Sequence, residues 1–375
     1  MRPRNAVIAA VQTGPHTLEL HEFARPAVPD DGALLRVEAC GLCGTDVAQF
    51  DGDHARMGLA GLPCIPGHEP VGLIEEIGPS AAVRWNVAAG DRVAIEPHLS
   101  CGVCDACLDG QRNACAVGEH RDVNYGFIGT DVGCGLWGGY SQYMLLDPRT
   151  VMHKVSKRLS PATASMFNPI GAGIRWACRA PSTKIGDTVV VLGSGQRGLA
   201  CVIALRVAGA GMVIVTDLAR CSSKLDLALE LGADHVVVAD EEDVVERVTE
   251  LTGGRLADVV IDVTAGATKP VTDAIEIVKR GGTIILAGAK EGKAIPGFVS
   301  DKVVLKSIRM QGVFAVDSAS FREAIRLIES NTGVFARMHS RSYPLADAAQ
   351  AIQRLSGADG EPPAIHVAIE PWASV

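Results

Sequence analysis

No apolar run in this 375-residue chain is long enough to cross a bilayer, since Arg206 interrupts the best candidate, residues 199–215. A membrane-spanning helix is therefore not expected. Clustered Lys and Arg are also missing: 43 acidic residues outnumber 35 basic ones, for a net charge of −8. A general polyanion binder needs concentrated positive charge to neutralise phosphates, so nucleic acid is not expected as a partner. Repeats and low-complexity tracts are absent as well. Arg2 and Arg4 precede an apolar run at 6–11, but it is too short for a signal peptide and no cleavage site follows, so it reads as a first β-strand.

The composition that remains is globular, 47% hydrophobic and 21% charged, and the length suffices for two domains with separate cores. Eleven cysteines are present, an odd number, with Cys40, Cys64, Cys134, Cys178, Cys201 and Cys221 scattered. That usage suits a reducing compartment better than a disulfide scaffold, and the expected location is the cytoplasm.

The other cysteines are not scattered. Cys101, Cys104, Cys107 and Cys115 lie within fifteen residues, spaced by gaps of two, two and seven. Four thiolates at that spacing can turn inward on one tetrahedral zinc and close its shell, leaving no room for a substrate. Cys43, in GLCGTD, and the pair His68 and Glu69, in PGHE, come from separate segments and supply too few ligands for closure. Such a set leaves a coordination position open, which is the arrangement of a catalytic ion. Two zinc ions per chain are expected, one structural and one catalytic.

Up to about residue 155 the sequence breaks into short β-like runs, at 34–39, 71–77, 91–95 and 140–145, separated by Gly, Pro and Asp turns. Ser160 and Pro161 then open a helical stretch predicted over 162–179. From there strands alternate with helices. The strand at 188–192 runs into Gly193, Gly195 and Gly198, a helix follows at 196–208, and a second strand at 212–216 ends at Asp217, nineteen residues after the third glycine. Strand, GxGxxG, helix and delayed acid together form a dinucleotide-binding fingerprint. Gly193 allows the tight turn, Gly195 lets a pyrophosphate near the backbone, and Gly198 lets helix and strand pack. Gln196 and Arg197 open the helix whose N–H groups face the phosphates. Asp217 accepts hydrogen bonds from ribose hydroxyls and repels a 2′-phosphate, which favours NAD over NADP; Arg220 and Lys224 nearby act against that preference. The later strands, at 235–239, 258–263 and 283–287, are continuous Val and Ile, as in a parallel sheet covered on both faces.

Taken together, GLCGTD, PGHE, the four-cysteine run, the glycine turn and the segment NPIGAGIRWACRA resemble the zinc-dependent medium-chain alcohol dehydrogenases over essentially the whole chain. The look is nearest to the polyol, threonine and secondary-alcohol branches. The resemblance implies an α/β protein with a GroES-like, mostly β catalytic domain (1–168 and 314–375, with the structural zinc lobe at 98–118). A Rossmann domain, 169–313, is inserted in it, with substrate and zinc in the cleft. Cys43 and His68 resemble the first two catalytic zinc ligands, and Glu69 a carboxylate that ligates or supports the ion. Thr45 falls at the proton-relay hydroxyl, and Asp46 at the acid that fixes the tautomer of the ligating histidine. An alcohol oxygen on zinc has its pKa lowered, Thr45 accepts its proton, and hydride leaves for the nicotinamide. A homodimer or homotetramer is implied, joined near residues 290–304.

Two positions depart from the family pattern. Asn168 stands where the third ligand is usually Cys, Asp or Glu. A neutral amide oxygen leaves the zinc a stronger Lewis acid but less firmly held, so Glu69 is expected to swing in when no substrate is bound. Ala48 stands where many relatives carry the histidine that passes the proton to solvent, a step left to water or His54. Phe50, His54, Met57, Trp85, Trp137 and Trp176 are candidate pocket residues. The expected activity is oxidation of a secondary or cyclic alcohol, or the reverse ketone reduction. The alternatives are a zinc-free quinone or enone reductase on the same scaffold and a non-catalytic NAD and zinc sensor.

Overall fold

The structure, a computed structural model, describes residues 6–53, 61–115 and 124–373; His54 and Met57 lie outside the described residues. The chain divides into two compact units, Met1–Asn168 with Asp317–Val375, and Pro169–Val316.

The first unit opens with an antiparallel hairpin of β1 (Ala6–Gly14) and β2 (Thr17–Ala24). Next come β3 (Ala33–Gly41), β4 (Glu69–Ile77), β5 (Arg92–Ile95), β6 (Tyr143–Leu146) and β7 (Met152–Lys154). The long partners carry Leu and Val in β3 and Val, Leu and Ile in β4, and Leu35, Val37 and Ile74 bury their side chains with Val93 and Ile95 in one core. Pairing of β3 with β4 is antiparallel, with Cys40 opposite Pro70 and Gly41 opposite Glu69. That register carries the chemistry described below.

The second unit holds a six-stranded sheet. Its strands are β8 (Thr188–Leu192), β9 (Met212–Asp217), β10 (His235–Val238), β11 (Ala257–Asp262), β12 (Val278–Leu286) and β13 (Arg309–Gly312). All pairings are parallel, in the order β10-β9-β8-β11-β12-β13. Strand order reverses beside β8, the switch point where open α/β sheets bind ligands beyond the strand ends. Helices Gln196–Ala208, Ser222–Glu230, Val244–Leu251 and Lys269–Ile277 connect the strands. Val190, Ile214, Val237, Val260 and Ile284 fill the core on one face, and Val189, Val191, Val213, Val215, Ile261 and Ile285, which alternate with them, are buried too, which explains the unbroken apolar runs.

The helix predicted over 162–179 is not continuous. Helix Pro161–Ala164 stops, Phe167–Gly173 starts afresh, and Ile174–Arg179 is a π-helix. Pro169 has no N–H to give the Ser165 carbonyl, so one α-helix cannot run through both. The wider register shows in Ala180 N donating to Arg175 O at 2.8 Å and Thr183 N to Cys178 O at 3.1 Å, each five residues back. The second unit runs to Val316, tied down by Arg175 Nη1 donating to Phe314 O and Trp176 Nε1 to Ala315 O.

Back in the first unit, β14 (His339–Tyr343) and β15 (His366–Ile369) finish its seven-stranded sheet, ordered β14-β15-β3-β4-β5-β7 with β6 on β3. Ala368 of β15 pairs with Gly41, so Gly41 sits between β15 and β4.

Candidate active site

Helix Gly44–Phe50 begins two residues beyond the end of β3, and Cys43 is its N-cap. The cap is reciprocal: Thr45 N donates to Cys43 Sγ (3.4 Å) while Cys43 N donates to Asp46 Oδ2 (2.9 Å). His68 immediately precedes β4, and Glu69 is its first residue. Antiparallel pairing of β3 with β4 therefore brings these two chain segments to one end of the sheet. Cys43 Sγ lies 3.2 Å from His68 Nε2, and Nε2 lies 3.9 Å from Glu69 Oε1. One ligand atom from each of the three residues falls within 4.8 Å of the others, and all three side chains are buried. Tetrahedral zinc with S and N ligands at ~2.3 and ~2.0 Å sets them about 3.5 Å apart. The donor set fits that ion.

Charge argues the same way. Burial alone would push the His68 imidazole down, but Asp46, Cys43 and Glu69 outweigh it and raise its pKa to about 10. A cluster that binds a proton so firmly is one that demands a cation. Among the described residues Asp46 Oδ1 and His68 Nδ1 are buried with no hydrogen bond, and they stand 3.6 Å apart, so Asp46 faces the ring nitrogen that a metal at Nε2 would leave over. Behind Asp46 is Tyr140, fully buried, its phenol pushed well up by burial and then by the Asp46 charge. Nothing local in GGYSQY marks Tyr140; the packing of its ring on Gly67 does, where a Cβ would come within 2.5 Å of the ring. Asn168 is buried at the second position of helix Phe167–Gly173 in the same unit. Thr45 is half-buried on the first turn of its helix, and Phe50 is buried at that helix's end. Trp85 and Trp137 are partly buried and pack against the β3–β4–β5 core.

The four cysteines of the 101–115 segment also converge. Cys101 Sγ to Cys107 Sγ and Cys104 Sγ to Cys115 Sγ are both 3.9 Å. A zinc tetrahedron with Zn–S of ~2.3 Å has edges of about 3.8 Å. Cys104 N donates to Cys101 Sγ and Cys101 N to Cys115 Sγ. N–H donors from Val103 and Cys104 lower the Cys101 thiol, whereas burial raises Cys107 to about 11. Four sulfurs fill a shell of four, so this segment suits a structural ion.

In the second unit, Gly193 has φ +106°, and helix Gln196–Ala208 approaches so closely that a Cβ on Gly198 would lie 1.9 Å from Gly193 O. Among the described residues nothing lies within 4 Å of a Cβ placed on Gly195, leaving that stretch of backbone open to a phosphate. Arg197 stacks over Trp176 at 5.0 Å, and Gln196 Nε2, at the start of the helix, is buried with no hydrogen bond among the described residues. Asp217 Oδ2 accepts from Ser194 N (2.7 Å) and Ser194 Oγ (2.6 Å), a link between ribose acid and glycine turn that the sequence pattern does not show. Arg220 is exposed three residues further on, while Lys224 is buried. This turn fits a dinucleotide.

Comparison with known proteins gives two family matches: the alcohol dehydrogenase GroES-like domain over residues 29–157 and the zinc-binding dehydrogenase domain over 198–330. The chain is 44% identical over 368 residues to "Probable alcohol dehydrogenase adh" of Mycobacterium tuberculosis (strain ATCC 25618 / H37Rv), covering 97% of this chain and 98% of that one. It is 35% identical over 286 residues to the erythritol/L-threitol dehydrogenase of Mycolicibacterium smegmatis, 75% of each chain. Among solved structures, a zinc-binding dehydrogenase of Sinorhizobium meliloti bound to NADP superposes with a TM-score of 0.81 at 27% identity, covering 98% of this chain and 100% of that one.

Proposed function

Because the chain belongs to the zinc-binding, GroES-like alcohol dehydrogenases, oxidoreductases acting on CH–OH groups with zinc and NAD(P), we propose that it oxidises a secondary or cyclic alcohol with NAD, and reduces the ketone in reverse. The observation that carries this reading is the buried set of Cys43, His68 and Glu69, three ligands where a closed shell takes four. When bound, zinc supplies a Lewis acid that acidifies an alcohol hydroxyl, and NAD supplies the hydride acceptor. Cys43 and His68 would hold the ion with Asn168 as a neutral third ligand, and Glu69 would take the fourth position only while no alcohol is bound. Thr45 takes the hydroxyl proton at Oγ, and Asp46 holds His68 by Nδ1. Asp217, already oriented by Ser194, accepts from the ribose hydroxyls and selects NAD over NADP.

The branch of relatives, which includes a polyol dehydrogenase, supports a neutral alcohol substrate. Exposed Phe298, Val299, Val304 and Leu305, beside the edge strand β13, support assembly as a homodimer or homotetramer through that sheet edge. The deciding experiment is NADH formation across aliphatic, cyclic, polyol and aromatic alcohols, with zinc counted in the same sample. Turnover of a secondary alcohol with two zinc per chain supports the proposal. Binding of NAD and zinc with no alcohol oxidised would sink it. For Asn168, an Asn168→Ala variant with unchanged metal content and activity removes it from the ligand set.

A further inference from the structure

The sheet of the second unit carries two acids at the ends of the strands flanking β8, Asp217 half-buried and Asp262 buried, and only one belongs to the dinucleotide fingerprint. Asp217 ends β9; Asp262 ends β11, across the switch point. Asp262 is fully buried, and its Oδ1 accepts from Thr264 N (3.0 Å) and Thr264 Oγ1 (2.6 Å), a backbone and hydroxyl donor pair like the one Ser194 gives Asp217. Lys290, from the loop after β12, is the added part. Its Nζ lies 2.8 Å from Asp262 Oδ2, an ion pair, and donates hydrogen bonds to Thr264 O (2.6 Å) and Thr264 Oγ1 (2.9 Å).

That loop is the wall of the glycine turn. A Cβ on Gly193 would meet Val263 Cγ2 at 3.1 Å and Thr264 Cγ2 at 3.2 Å, and a Cβ on Gly288 would lie 2.1 Å from Thr264 O. Ala287 N and Gly288 N both donate to Asp262 O, and Gly266 N donates to Ala289 O. Loops 263–267 and 287–290 are thus sewn together, with Lys290 as the charged stitch. A dinucleotide lies across the switch point, its adenosine ribose on the acid that ends the second strand; the other half then falls on the β11 and β12 side.

We propose that Lys290 is a positioning residue for the nicotinamide half of the cofactor: by neutralising Asp262 and clamping Thr264, it holds rigid the lip on which that half rests. The proposal rests on the dinucleotide reading above. Lys290 does not touch the adenosine side, so the two halves of the cofactor should respond differently to its loss.

The test is calorimetric titration of the full-length protein with AMP, which carries the adenosine half alone, and with NADH. For Lys290→Met, NADH affinity is expected to fall about ten-fold while AMP affinity stays within about two-fold. Removing Lys290 strands a buried carboxylate, so the double variant Asp262→Asn with Lys290→Met is measured too; it lifts the charge, folds more readily, and is expected to show the same split. Equal weakening of AMP and NADH in both variants, as from a general loosening of the sheet, overturns the proposal, and so does unchanged NADH affinity. If the unaltered protein binds neither AMP nor NADH, the dinucleotide reading itself fails and the proposal with it.

Discussion

The two metal-type clusters of the first unit are built on opposite plans. Cys101, Cys104, Cys107 and Cys115 come from one short segment, three of them partly exposed, and supply four sulfurs of one kind. Cys43, His68 and Glu69 come from two segments joined only by strand pairing, are buried, and supply three unlike atoms backed by Asp46 and Tyr140. The first plan would saturate an ion and fix a loop, since nothing further could approach. The second offers three ligands, so on the proposed reading an ion held there would keep a position for substrate, beside groups that would hold a proton or orient a ring. Difference in ligand number, rather than in metal, separates structure from chemistry.

The largest effect expected from breaking this contrast is at Cys43. Cys43→Ala should lower kcat/KM by about 10³-fold or more and remove one zinc per chain, with thermal unfolding little changed. Near-normal turnover in that variant would end the catalytic assignment. At the other cluster, Cys104→Ser should also cost one zinc but lower stability by several kcal/mol, with turnover of the protein still folded at low temperature retained. If that turnover vanishes as completely as in Cys43→Ala, the division between the two clusters is wrong.

Asp46→Asn tests the backing of the catalytic cluster. Zinc affinity or activity should drop about 10- to 100-fold, because the amide cannot balance the charge at His68 Nδ1; metal competition with a chromophoric chelator measures it. Smallest is a pH effect confined to the buried side. His366, on β15 beside Gly41, is buried, and burial and then His339 hold its pKa down to about 3. The unfolded chain takes up this proton near pH 6.5 and the folded one does not until about pH 3. Stability from His366 is therefore complete above pH 6.5 and lost on acidification, by about 1.4 kcal/mol per pH unit. Urea unfolding at pH 7 and pH 5 should show that slope, and His366→Asn should flatten it.

Legibility followed sequence distance. The four-cysteine spacing and the strand, glycines, helix and acid of residues 188–217 are local patterns, and their elements stand at β8, helix Gln196–Ala208 and β9. The break at Pro169 was also written in the chain, but the helical period of 162–179 masked it until the carbonyl of Ser165 had to be accounted for. Trp85 and Trp137 read as possible pocket residues because size and apolarity do not distinguish a core from a lining. Tyr140, Ser194, Lys290 and His366 gave no signal, since each acts on a residue brought near by a strand pairing or a loop packing.

From the residues alone came the ligand types, the phosphate turn and the parallel sheet, because spacing and period fix what a short stretch of backbone can do. Folding decided which distant residues share a centre. Cys43 meets His68 and Glu69 only through the register Gly41 opposite Glu69, and a slip of one residue would turn every β3 side chain to the other face. Register is set by burial of both strands in a common core, a property of the whole unit that no short segment contains.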